Sequence, residues 1–125
     1  MSTRCVVGHL DENNNLEAVY CHYDGYPEYM VPTLDALAVK FGSKGILDMI
    51  LNAQVNGGLR VITDKSFETF QEPSLKSKWS YTHDEIKRGY GHQYGYIIDS
   101  SGRIVEFYAD GELQPLKSLR KFKEQ

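Results

Sequence analysis

Cysteine, proline and tryptophan are all scarce in this chain, with two, four and one in 125 residues, and each scarcity closes off a class of protein. Two cysteines cannot build the disulfide framework on which small secreted domains depend. Cys5 and Cys21 fall on two expected neighbouring strands and read as small core residues in a reducing compartment. No run of about 18 apolar residues occurs, nor does a charged segment followed by an apolar one, so neither a membrane span nor a signal peptide is expected. The expectation that follows is a cytoplasmic protein with no membrane contact. Charge of one sign is also lacking. A net charge of −3 and a pI near 5.8 argue against duplex nucleic acid as a partner, because phosphate neutralisation needs a basic face. The same charge is too mild for an acidic DNA mimic.

The motifs of common chemistry are missing as well. His9, His22, His83 and His92 show no zinc-ligand spacing, and Cys21 and His22 point to opposite faces of a strand. No nucleophile elbow, Walker loop or dinucleotide fingerprint is present. No catalytic residue, metal or cofactor is therefore assigned. His83, beside Asp84 and Glu85, reads as a solvated helix start.

What the chain does have is tyrosine: nine, against five phenylalanines. Tyrosine joins a flat apolar face to a polar tip, which suits base stacking, a subunit interface or a strand surface. Hydrophobic residues at 41% and charged residues at 25% are ordinary for a globular protein, and the length suits one domain, residues 1–125.

Residues 3–10 and 16–23 read as an antiparallel hairpin around the polar turn 11–15. Apolar residues at Met30, Val31, Leu34, Leu37, Ala38 and Phe41 then fall at helical spacing until Gly42. A second short helix carries Ile46, Leu47, Ile50 and Leu51, with Ser43 as its N-cap. Residues 59–63 form a short strand or an extended connection. The stretch to residue 80 is a long excursion anchored by Phe67, Phe70, Leu75 and Trp79. Thr82 and Glu85 make a capping box for a helical turn to residue 88. Strands at 92–98, 103–108 and 112–113 form a meander, and 115–122 closes the chain as a basic helix. The fold class expected is α+β: a single antiparallel sheet, made of the N-terminal hairpin and the C-terminal meander, packed by two or three helices.

The densest run of functional groups is residues 20–28, Tyr-Cys-His-Tyr-Asp-Gly-Tyr-Pro-Glu. It reads as a strand entering a rigid corner, with Asp24-Gly25 as the turn pair and Pro27 in the first turn of the helix. Two glycine-containing loops set an arginine beside backbone N–H groups: Asn56-Gly57-Gly58-Leu59-Arg60, and Arg88-Gly89-Tyr90-Gly91-His92. Either could hold phosphate, and either could be an ordinary turn. The residues assigned to ligand binding from local chemistry are Tyr23, Asp24, Tyr26, Arg60, Trp79, Arg88, Tyr90, His92 and Arg103. The corner serves either as architecture or as ligand contact.

The opening Met-Ser-Thr-Arg, the short apolar strand and the run at 20–28 resemble a family of small phage and prophage proteins. Within it, the chain looks similar to the Thoeris anti-defence sponge proteins, which bind cyclic ADP-ribose-like immune signals without cleaving them. The specific part of the likeness covers the first thirty residues or so. It implies a homo-oligomer in the host cytoplasm whose pockets hold a cyclic nucleotide-type small molecule with aromatic and arginine side chains. Two other functions remain open from the residues: a phage inhibitor that docks on a host protein through a Tyr-rich surface, and a small nucleotide-processing enzyme.

Overall fold

The computed structural model describes residues 3–71, 79–89 and 91–123. The first hairpin forms as expected. Strand β1 (Cys5–Leu10) pairs antiparallel with β2 (Leu16–Cys21), with Cys5 opposite Cys21 and Leu10 opposite Leu16. Asp11 closes the turn, its carboxylate accepting from the backbone N–H groups of Asn13 and Asn15 at 2.8 and 2.9 Å. Those bonds hold the Asp11 carboxyl below the usual carboxylate range. Both cysteines are free thiols in the core.

The corner after β2 is tied to the start of β1. Asp24 takes a left-handed backbone, φ 58°, and the N–H of Gly25 donates to the Thr3 carbonyl at 2.8 Å. The Gly25 carbonyl accepts the buried Tyr96 hydroxyl at 2.7 Å. Pro27 then opens helix α1 (Pro27–Val55), where its missing N–H costs nothing. The helix is broken at Gly42, φ 73° and ψ 172°, so its two halves are the two helices that the spacing predicts. Met30, Val31, Leu34 and Leu37 from the first half, and Ile46, Met49, Ile50 and Ala53 from the second, are buried against one face of the sheet. Each of the large side chains among them contributes about 1.5–3 kcal/mol through removal of its surface from water. Ser43 follows the break, and its hydroxyl donates to the Ser100 carbonyl at 2.6 Å.

Strand β3 (Leu59–Ile62) joins β2 in parallel through Cys21 and Leu59, and β4 (Phe67–Thr69) adds an antiparallel edge. The end of the excursion returns to the sheet: Ser80 bridges Val19, Tyr81 N–H donates to the Ala18 carbonyl, and Trp79 N–H donates to the Gln54 carbonyl. Leu75 lies outside the described residues. Helix α2 (His83–Arg88) carries the Thr82–Glu85 capping box. Strands β5 (Tyr94–Asp99), β6 (Ile104–Ala109) and β7 (Glu112–Gln114) form the meander. A 3-10 turn, Leu116–Leu119, then leads into α3 (Arg120–Lys123).

The result is α+β with one seven-stranded sheet, in the order β4-β3-β2-β1-β5-β6-β7. The hairpin and the meander are antiparallel within themselves. The β1–β5 and β2–β3 pairings are parallel, which makes the whole sheet mixed. Helices α1 and α3 cover one face. The other carries a smaller core, Val6, Ala18, Ile97 and Tyr108, under Ile86 of α2. On that face the Glu106 carboxylate accepts the Tyr108 hydroxyl and faces His83 Nε2 at 3.4 Å, tying α2 to β6. Burial, together with Glu106, pushes the Tyr108 hydroxyl up.

Much of the tyrosine is structural. Tyr94, Tyr96 and Phe107 stack together on the α1 side, with ring centroids 5.4 to 6.5 Å apart. Tyr29 reaches across to donate to the Ile62 carbonyl at 2.6 Å.

Candidate functional site

Side chains alternate along a strand, so Tyr20 and His22 share the face of Ala18 and lie opposite the one that α1 covers. Cys21, between them, points into the α1-side core. Arg4 precedes Cys5, and Cys5 pairs with Cys21, so the register sets Arg4 across from His22. Among the described residues, α2 covers the other part of this face, over Val6, Ala18, Ile97 and Tyr108. Arg4, Tyr20 and His22 instead line a cleft of about 330 Å³, together with Gly57, Phe70 and Trp79.

The cleft is largely aromatic. The rings of Tyr20 and Trp79 lie 6.2 Å apart, inclined at 34°, and His22 meets Phe70 edge to face at 5.6 Å. Gly58, φ 86°, permits this packing: a Cβ there would lie 3.3 Å from the Tyr20 carbonyl oxygen and 3.6 Å from the Trp79 ring. The Tyr20 hydroxyl lies 2.6 Å from His22 Nδ1. Burial raises the Tyr20 hydroxyl above its ordinary value against the opposing pull of Arg4, so it stays protonated at neutral pH. When that hydroxyl donates, a neutral His22 carries its own proton on Nε2 and offers it as a donor.

Beside the cleft, Tyr23 packs edge-on against His22 at 4.6 Å, and the Arg60 guanidinium lies 6.0 Å from the Tyr23 ring centre. Among the described residues the only salt bridge is His83–Glu106, so neither Arg4 nor Arg60 has a carboxylate within 4 Å. Two free guanidinium groups next to exposed aromatic faces suit a ligand that is anionic at one end and flat at the other.

Of the residues assigned from sequence, the structure brings together Trp79, in the cleft wall, with Tyr23 and Arg60 beside it. Asp24 belongs to the corner through its backbone. Tyr26 is the N-cap residue of α1, with its ring 6.1 Å from that of Tyr29. Arg88 is exposed at the end of α2, and Arg103 is exposed before β6; neither lines the cleft. His92 is buried, its Nε2 3.0 Å from the Ile86 carbonyl and its ring edge-on to Tyr81 at 5.7 Å, so it braces α2. Tyr90 lies outside the described residues.

Sequence reasoning missed Arg4, Tyr20, His22 and Phe70 as lining residues. Period-two alternation could have grouped Tyr20 with His22; Arg4 joins them through the β1–β2 pairing, and the placement of Phe70 depends on a chain reversal, neither with a local signal. Of the two glycine loops, the one containing Gly57 lies at the cleft. Among the described residues no three His, Cys, Asp or Glu side chains come close enough to hold a metal ion. No helix of the described residues is long and apolar enough to cross a membrane. Comparison with protein-family models, with curated proteins and with solved structures returns no match.

Proposed function

We propose that this protein is a binding protein that captures a nucleotide-type ligand in the aromatic cleft and releases it unaltered. The observation that carries the reading is the pairing of the Tyr20, Phe70 and Trp79 rings that line the cleft with the Arg4 and Arg60 guanidinium groups, which form no salt bridge among the described residues. Bases stack on such rings, and phosphates are held by such cations. The likeness of the N-terminal stretch to phage sponge proteins narrows the class to a cyclic nucleotide immune signal such as a cyclic ADP-ribose isomer. The cleft, about 330 Å³, stands at the low end of the range of ligand sites, about 300 to 1,000 Å³. In the homo-oligomer that the likeness implies, a second subunit would extend this site. A Tyr-rich docking surface draws less support, because Tyr96 and Tyr108 are buried in the two cores.

Isothermal titration against two cyclic ADP-ribose isomers, a cyclic dinucleotide and a cyclic trinucleotide, with the ligand recovered after heat denaturation, tests the proposal. Tight binding of one compound and its intact release are expected. Trp79→Ala should weaken that binding roughly 5- to 150-fold, the worth of one stacked base, and Arg4→Ala should weaken it as well. Altered ligand would make the protein an enzyme; silence across the panel would remove the nucleotide reading.

A further inference from the structure

A second cavity, on the opposite face of the sheet from the aromatic cleft, has a different chemistry. It is about 280 Å³ and opens where α1 breaks at Gly42, between the two helical halves and the β3–β4 turn. Its walls are Leu37, Ile46 and Met49 from the core side and Phe41 and Phe67 at the mouth. The first three are almost fully buried, whereas Phe41 and Phe67 remain 51% and 39% exposed. Two large aromatic side chains left in water at the entrance of an apolar hole are costly unless something apolar lies against them.

The rim supplies the second half of the argument. Lys65 lines the mouth, and the Lys40 ammonium lies 5.3 Å from the Phe41 ring centre. Among the described residues neither lysine has a carboxylate within 4 Å. The neighbouring Asp64 turns to another depression, with Tyr29 and Thr33. An apolar hole with an ammonium group at its lip, Lys65, and a second, Lys40, beside its Phe41 wall matches an aliphatic chain that ends in an anion. The lining also favours a flexible chain over a flat ring, because Leu, Ile and Met line the cavity floor while the aromatic rings stand at its entrance.

We propose that this cavity binds a medium-chain aliphatic carboxylate, the chain between the two halves of α1 and the carboxylate at Lys65. The site is independent of the nucleotide reading, sharing no residue with the aromatic cleft.

Isothermal titration with octanoate, decanoate and dodecanoate, kept below micelle-forming concentrations, provides the test, with decyltrimethylammonium as the charge-reversed control. Affinity should rise about fourfold per added methylene until the cavity is full. The cationic homologue should bind more weakly than decanoate. Lys65→Glu, at an exposed position, should weaken decanoate roughly tenfold or more while the fold stays intact by circular dichroism. Phe67→Ser at the rim should weaken all three chains together. Decanoate should shift the amide resonances of Met49 and Phe67. Absence of binding at millimolar decanoate, equal affinity for the cation, or an unaffected Lys65→Glu variant would each overturn the assignment.

Discussion

Gly25 has both backbone polar groups engaged and no space for a side chain. A Cβ there would lie 2.7 Å from the Thr3 carbonyl oxygen and 2.8 Å from the Cys5 Cβ. Gly25→Ala must push the corner away from β1, at an expected cost of about 1–3 kcal/mol. Tyr96→Phe removes the donor to the Gly25 carbonyl and leaves that oxygen buried without it, a loss of similar size. The two changes act on one corner, so the double variant should lose less than the sum. Urea midpoints of the four proteins measure this; strict additivity would show that the corner is not a unit. The corner itself was legible in Asp24-Gly25-Pro27. Its anchor was not, because Tyr96 lies 71 positions away and nothing local marks that hydroxyl as the partner. The same gap explains the cleft: Tyr23, Arg60 and Trp79 could be picked out for their chemistry, but their neighbours Arg4 and Phe70 come from pairings that no local pattern reports.

Helix α1 was the most legible element, since the three- and four-residue spacing runs to Phe41, stops at Gly42 and resumes at Ile46. The backbone of Gly42, φ 73° and ψ 172°, belongs to a region essentially reserved for glycine, and nothing lies within 4 Å of where its Cβ would stand. Gly42→Ala therefore isolates backbone strain from crowding. A loss of about 1–3 kcal/mol is expected, read as a lower melting temperature. An unchanged melting temperature would mean that the two halves can fuse into a straight helix. Helix α2 was visible through its capping box. Strand β4 was not, because Phe67–Thr69 is only three residues long and sits among polar neighbours, too short for an alternating pattern to register.

Within the sheet, β1 lies between β2 and β5 with a core on each of its faces, while β4 and β7 each have one edge that no strand of the described residues pairs with. Backbone amides in β1 and β5 should exchange only through global unfolding, and those of β4 and β7 through local fraying, faster by roughly two orders of magnitude or more. Native-state hydrogen exchange decides this; equal protection at Val7 and Glu68 would contradict it. The mixed topology was the least legible feature. Turn residues announce antiparallel neighbours, whereas a parallel pair such as β1 and β5 needs a long connection and leaves no mark at either end. That pairing has a consequence for how the chain is made. The partner of the first strand emerges from the ribosome roughly 90 residues after it, which at about 5–20 residues per second is a wait of roughly 4–18 seconds. Through that interval the nascent hairpin presents an open strand edge to every neighbouring chain. Translation that stops before β5 therefore yields a sticky fragment and not a smaller version of the protein.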